Sequence, residues 1–184
     1  MSVNIQLEWT PNPNTLKYVV DQTLIPSGAV AFRDRQSAAG KSPLAEKLFA
    51  IEGVSAVMLG TSFVTITKGE AGDWDTMNEE VIAALENHLS AGEPVTIGEL
   101  SSGHSGANDS EIEQQIRDIL DEEIRPAVMN DGGDITLDRF ENGIVYLHMR
   151  GSCSGCPSSL MTLKMGIEER LRASIPDVEE VVPV

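Results

Sequence analysis

Short runs of alternating apolar and polar residues open the chain and then give way to helical spacing. Val3–Glu8, Leu16–Val20 and Ala29–Arg33 follow the two-residue period of half-buried strands. Ser42-Pro43 predicts a helix start, with serine as N-cap and proline in the first helical position, and Leu44, Leu48 and Phe49 continue it. Val54–Leu59 and Phe63–Thr67 predict two more strands joined by the turn Gly60-Thr61-Ser62. A helix over about Asp75–Leu89 then carries Val81, Ile82, Leu85 and Leu89 on one side.

The pattern restarts further on. Ser110-Glu111-Ile112-Glu113 is a capping box, and Ile112, Ile116, Ile119, Leu120 and Ile124 recur at helical spacing. Arg125-Pro126 predicts the end of that helix, because the residue before a proline is pushed out of helical geometry. Asn130-Asp131-Gly132-Gly133 predicts a turn. Ile135–Phe140 and Ile144–Met149 predict a hairpin closed by Asn142-Gly143. A helix over about Ser158–Ala173 and a strand at Val178–Val182 complete an α-β-β-α-β order.

Between the two patterned regions the chain carries Gly92, Gly98, Gly103 and Gly106, with serines at 101, 102 and 105 and little to bury. That is linker composition. The expected organisation is α+β, with two small α/β-sandwich domains: a first domain at residues 1–91, a flexible linker at 92–109 and a second domain at 110–184.

Composition adds exclusions. The 184-residue chain has a formal charge of −16. Six Lys/Arg oppose thirteen Asp/Glu up to Asn108 (−7), and seven oppose sixteen beyond it (−9), so the acidity is spread over both parts. Such a surface repels nucleic-acid backbones, and no nucleic-acid partner is expected. No apolar run approaches the roughly 18 residues of a spanning helix, so no membrane partner is expected either. The N-terminus shows neither a signal peptide nor an Arg-rich transit pattern. A bacterial-type cytoplasmic protein is expected, with a processed mitochondrial matrix form as the alternative.

The chemistry points to Cys153 and Cys156, the only two cysteines. The C-x-x-C spacing brings two sulfurs to one side of a turn, and Gly151 and Gly155 let the backbone curl so that amides face sulfur. Pro157 fits the first position of a helix, which would make Cys156 its N-cap; the positive helix end is expected to lower thiol pKa. Neither thiol is expected to carry core packing. A disulfide, a thioredoxin-like redox pair, a zinc site and an iron–sulfur site all remain open at this point. Ligand number then bears on them, because structural zinc and [4Fe–4S] clusters each take four ligands. Of the histidines, His104 falls in the linker and His88 on the first-domain helix, while His148 shares strand parity with Ile144 and Tyr146, away from the Val145/Leu147/Met149 face. One chain offers two ligands; two chains related by a two-fold axis offer four. A redox pair would normally follow a β-α-β unit, whereas a hairpin precedes this motif.

Arg125-Pro126-Ala-Val-Met-Asn-Asp131-Gly132-Gly133-Asp134-Ile135, with Gly143-Ile-Val-Tyr-Leu and Gly151-Ser-Cys-Ser-Gly-Cys-Pro-Ser-Ser159, resembles the C-terminal NifU-type domain of the Nfu proteins. Thr10-Pro-Asn-Pro-Asn-Thr-Leu-Lys17, Ser42-Pro-Leu-Ala-Glu-Lys-Leu-Phe49, Ile51-Glu-Gly-Val54, Phe63-Val-Thr-Ile-Thr-Lys68 and Asp73-Trp74 resemble the Nfu N-terminal domain. The resemblance implies a carrier, not an enzyme, that holds a [4Fe–4S] cluster on a homodimer through Cys153 and Cys156. It implies an upstream assembly scaffold as donor and apo iron–sulfur proteins as acceptors. A thiol–disulfide oxidoreductase using the same pair is the alternative. Ser152 departs from the alanine of the family pattern. Asp131 and Asp134 read as turn chemistry with no second metal, and the run at Thr10–Asn14 as a closing turn or a partner loop. Arg125 is expected to satisfy helix-end carbonyls or pair with an acid. Met129, Met149, Met161 and Met165 read as core fillers.

Overall fold

The computed structural model of the chain describes residues 3–98, 110–154 and 157–184. His104, Gly155, Cys156 and the linker residues from 99 to 109 lie outside the described residues. The chain divides into two compact units, Met1–Ser102 and Gly103–Val184.

In the first unit, β1 (Ile5–Trp9), β2 (Thr15–Val20), β3 (Ala29–Phe32), β4 (Val54–Gly60) and β5 (Phe63–Lys68) form one antiparallel sheet in the order β1-β2-β5-β4-β3. Three helices accompany it: α1 (Arg35–Ala38), α2 (Pro43–Leu48) and α3 (Trp74–Ser90). Leu16 and Tyr18 of β2, Val64 and Ile66 of β5, Leu44 and Leu48 of α2, and Val81 and Leu85 of α3 meet in one buried core. Ser42 caps α2 as expected, accepting from the Ala45 amide at 3.1 Å, while its own hydroxyl donates to the Val95 carbonyl at 2.6 Å. The Ile97 amide likewise donates to the Lys41 carbonyl at 2.7 Å. These bonds tie Val95 and Ile97, the front of the expected linker, to the first unit. The short helix α1 has no counterpart in the sequence reading; its Asp34/Ser37 capping box supplies the signal that was overlooked.

The second unit begins with α4 (Glu111–Ile119), capped by the expected Ser110/Glu113 box. The helix does not stop at Arg125-Pro126. It widens into a π-helical segment, Leu120–Ile124, and resumes as α5 (Arg125–Asn130). The Arg125 amide reaches the Leu120 carbonyl, five residues back. The wider turn accommodates Pro126, which has no amide to donate and whose ring would clash with a carbonyl in a regular helix. Proline here re-registers a helix that was expected to end.

β6 (Gly133–Glu141) and β7 (Ile144–Gly151) then form the expected hairpin, α6 (Pro157–Ser174) follows, and β8 (Glu180–Pro183) pairs parallel to β7. The sheet order is β6-β7-β8. Val145, Leu147 and Met149 of β7 face the core built from Ile116, Leu120, Val128, Ile167 and Leu171. Tyr146 and His148 face the other way, as strand parity predicts, and His148 lies 3.0 Å from an Asp138 carboxylate oxygen. The two units are thus small α+β sandwiches.

Asn142 and Gly143 turn the hairpin with φ of 51° and 79°. A methyl group on Gly143 would also stand 2.9 Å from Glu179 Cγ. Gly143→Ala should therefore lower the free energy of unfolding by about 1–2 kcal/mol. Urea titration should show an earlier midpoint with an unchanged slope.

Candidate metal centre

The sequence placed the chemistry at the junction of β7 and α6, and the backbone there makes a tight turn. Gly151 ends β7 with a φ of 65°, and both the amide and the hydroxyl of Ser154 donate to its carbonyl, at 3.1 and 2.9 Å. α6 starts at Pro157, in the first helical position.

A second loop lies alongside. Gly133 and Gly151 pair in register where β6 begins and β7 ends, so the Asp131-Gly132 turn abuts the cysteine loop. The Ser152 amide donates to the Gly132 carbonyl at 3.1 Å, and its hydroxyl donates to the Asp131 carbonyl at 2.6 Å. Ser152, where the family pattern has alanine, thus pins the two loops together. Gly132 adopts a φ of 78°, which explains one glycine of the pair.

Behind the loops sits a buried ion pair. Arg125 Nε donates to Asp134 Oδ1 at 3.0 Å, and Arg125 Nη1 donates to Asp121 Oδ1 at 2.9 Å. Of the two roles expected for Arg125, the structure selects pairing with acids. The Asp134 side chain is fully buried. Burial pushes its carboxyl up from the ordinary value while Arg125 pulls it down. Burial also works against the Arg125 charge, but Asp134 and Asp121 outweigh it and raise its pKa. Asp134 is a supporting residue that local reading took for turn chemistry. Its partner lies nine residues earlier, on a helix that was expected to have ended.

Cys153 is 7 % exposed and belongs to the core of the second unit, contrary to the expectation that neither thiol packs there. Its environment also reverses the expected pKa shift. Burial pushes the thiol up from 9.0 to about 11; a hydrogen bond with Ser152 pulls the other way, and the charges of Asp131 and Asp134 add to the rise. Among the described residues, no group of three His, Cys, Asp or Glu side chains is arranged to hold a metal ion. His88 is buried in the first unit, with Nε2 3.2 Å from the Pro94 carbonyl. Met149 fills the core as expected, whereas Met161 and Met165 on α6 are 63 % and 65 % exposed. For those two the core-filler reading does not hold: both side chains are exposed on α6.

Comparison with known proteins adds the following. Residues 116–182 match the family model described as a NifU-like domain, and residues 5–92 match the one described as the scaffold protein Nfu/NifU N terminal. The human protein named NFU1 iron-sulfur cluster scaffold homolog, mitochondrial, is 42 % identical over 182 residues, covering 98 % of this chain and 71 % of that protein. The Drosophila virilis protein of the same name is 42 % identical over 185 residues, covering all of this chain but 62 % of its own length. The solution structure of a NifU-like protein from Saccharomyces cerevisiae is 28 % identical with a TM-score of 0.48, over 53 % of this chain and 87 % of that one. The mitochondrial names correct the expectation of a bacterial-type cytoplasmic protein. That expectation rested on the make-up of the first twenty residues, and the composition of a folded strand carries no cellular address.

The buried thiol has a measurable titration. In a metal-free Cys156→Ser chain, the ultraviolet absorbance of the Cys153 thiolate should appear with a midpoint of about 11. A folded-state pKa raised above the unfolded one stabilises the fold fully below the unfolded value and ceases to as pH climbs through the folded value. Unfolding free energy should therefore fall as pH rises from about 9 to about 11. A thiolate already formed at neutral pH would overturn this assignment.

Proposed function

We propose, from the premise that this chain belongs to the Nfu family, that it is an iron–sulfur cluster scaffold whose cargo is a [4Fe–4S] cluster ligated by Cys153 and Cys156 of two protomers. It receives the cluster from an assembly scaffold and passes it to apo iron–sulfur proteins. The observation that carries the reading is the cysteine count set against the ligand requirement. Two thiols per chain are half of what a four-iron cluster takes, and a two-fold dimer supplies the rest. The motif also lies inside the segment matched by the NifU-like family model, after the hairpin and before α6. The relatives' names describe scaffolds, in keeping with a protein that carries rather than catalyses.

The donor chemistry suits such cargo. Thiolates are the ligands of iron–sulfur clusters, and neutral thiols must shed protons to bind, so loading is coupled to proton release. The Cys153 environment counts against the oxidoreductase alternative, since catalytic redox cysteines have lowered pKa values and this one is raised. The acidic surface disfavours nucleic acid. It also makes protomers repel one another, so iron ligation has to supply the attraction that holds the dimer.

Anaerobic reconstitution should yield about one four-iron cluster per two chains, with the Mössbauer signature of a [4Fe–4S] centre. Light scattering should show a dimer when loaded and a monomer once a chelator removes the iron. A full cluster on each monomer would refute the shared site. Cys153→Ser and Cys156→Ser should each abolish stable loading. Cys153→Ser should also cost about 1–2 kcal/mol of stability, since it places a hydroxyl in an apolar seat. A normal cluster on either variant would mean that other ligands hold it.

A further inference from the structure

We infer that Gly133 and Val128 build a seat for the Cys153 sulfur, and that binding and releasing the cluster moves this sulfur out of the seat and back. The inference deepens the carrier reading, and its cluster-dependent part rests on that reading.

The glycine carries the argument. Gly133 is not among the residues with positive φ, so its backbone conformation does not demand glycine. It shares strand parity with Ile135 and Leu137, both of which point into the core. A methyl group built on Gly133 would overlap the Cys153 sulfur, and would also stand 3.2 Å from Val128 Cγ1 and 3.3 Å from the Arg150 carbonyl oxygen. The space that any other side chain would take is filled by sulfur. Cys153 is correspondingly 7 % exposed and packs in the same cluster as Val128 and Met149. Two bonds from Ser152, to the Gly132 and Asp131 carbonyls, keep the cysteine loop over that space.

A sulfur in the core of one protomer is out of reach of iron held between two protomers. Loading therefore takes Cys153 out of the seat: its S–H proton passes to water as an iron–sulfur bond forms. On release, a thiolate of the acceptor replaces Cys153 on iron, and the freed Cys153 sulfur takes up a proton and returns to the core. Ligands exchange, and no electron changes hands. Reburial of the sulfur then favours the empty state and helps discharge.

The first test needs no cluster. In metal-free chain carrying Cys156→Ser, Cys153 is the one thiol left, and iodoacetamide should alkylate it at least about tenfold more slowly than in the urea-unfolded chain. Adding Gly133→Ala should raise the folded-state rate about tenfold or more, whereas Gly143→Ala, at the other end of the hairpin, should leave it within about twofold. Cys153→Ala combined with Gly133→Ala removes the sulfur from the collision. That double variant should recover most of the melting temperature lost by Gly133→Ala alone, a coupling that independent sites do not show. Should Gly133→Ala alone fail to fold, the double variant should still fold. Alkylation unchanged by Gly133→Ala, or a double variant that stays unfolded, overturns the seat. With both native cysteines present, Gly133→Ala should keep its cluster at about threefold higher chelator concentration than the unaltered chain, because the empty state no longer gains from burying sulfur. Easier loss of the cluster overturns the coupling. If neither protein takes up a cluster while the alkylation results hold, the carrier reading fails, and with it the coupling, while the seat stands.

Discussion

The second unit is organised around the buried contact between Arg125 and Asp134. A carboxylate taken fully out of water costs several kcal/mol unless a charge meets it, so the pair holds wherever the chain can bring both partners together. Arg125 stands at the start of α5 and Asp134 near the start of β6, on opposite sides of the Asp131-Gly132 turn. Closing the ion pair therefore fixes that turn, and the turn in turn sets the position of Gly133. The π-helical segment belongs to the same device. One extra residue in a turn advances every later residue by about 100° around the helix axis, which re-aims Arg125 relative to the core side chains of α4. Breaking one member of such a pair leaves the other buried and uncompensated, a far larger penalty than the net worth of the contact.

This chain of dependence explains what was legible in the sequence and what was not. Features written in adjacent residues came through: the Ser42 and Ser110 caps, the Asn142-Gly143 turn, the inward face of β7 and the outward His148. Features that depend on distant partners did not. Pro126 carries a strong local stop signal, but the tertiary contacts of Arg125 and Val128 on α5 outweigh it. The burial of Cys153 was invisible because strand parity ends at Gly151, and the cavity that receives the sulfur is made by Gly133, twenty positions earlier in the chain. The raised thiol pKa has the same non-local origin. A helix terminus is readable from Pro157, whereas the burial that raises this thiol depends on the packing of β6, β7 and α5. The motif named the candidate cysteines, and only the fold disclosed that Cys153 is buried.

The first unit shows the same division of local and distant signals on a larger sheet. Lys17 alternates outward on β2, yet it is buried, paired at 2.8 Å with Glu8 on the neighbouring strand and placed over the Phe63 ring. Cross-strand partners of this kind turn a polar position into a packed one, and they become visible only once strand order is known. In the order β1-β2-β5-β4-β3 the β2-β5 pairing is the one between strands not consecutive in sequence, and it brings Phe63 beside Lys17, a contact that spacing along the chain does not reveal.

A cluster that stays and a cluster that leaves ask different things of their ligands. A resident centre profits from four thiolates of one chain, pre-oriented by the fold before iron arrives. Here each chain brings two cysteines, and one of them is already spent on packing. Withdrawing a small sulfur-containing side chain from a core costs on the order of 1 kcal/mol, so in the proposed dimer two protomers would together forgo about 2 kcal/mol on loading. That amount weakens the hold by between one and two orders of magnitude. It would leave the proposed ligation by four thiolates strongly favourable while making its loss easier. The acidic surface would act in the same sense, since two chains each at −16 repel unless, as proposed, iron bridges them. On the proposed function, both features would tune the site toward discharge. Neither would benefit a protein whose cluster had to remain in place through many rounds of electron transfer.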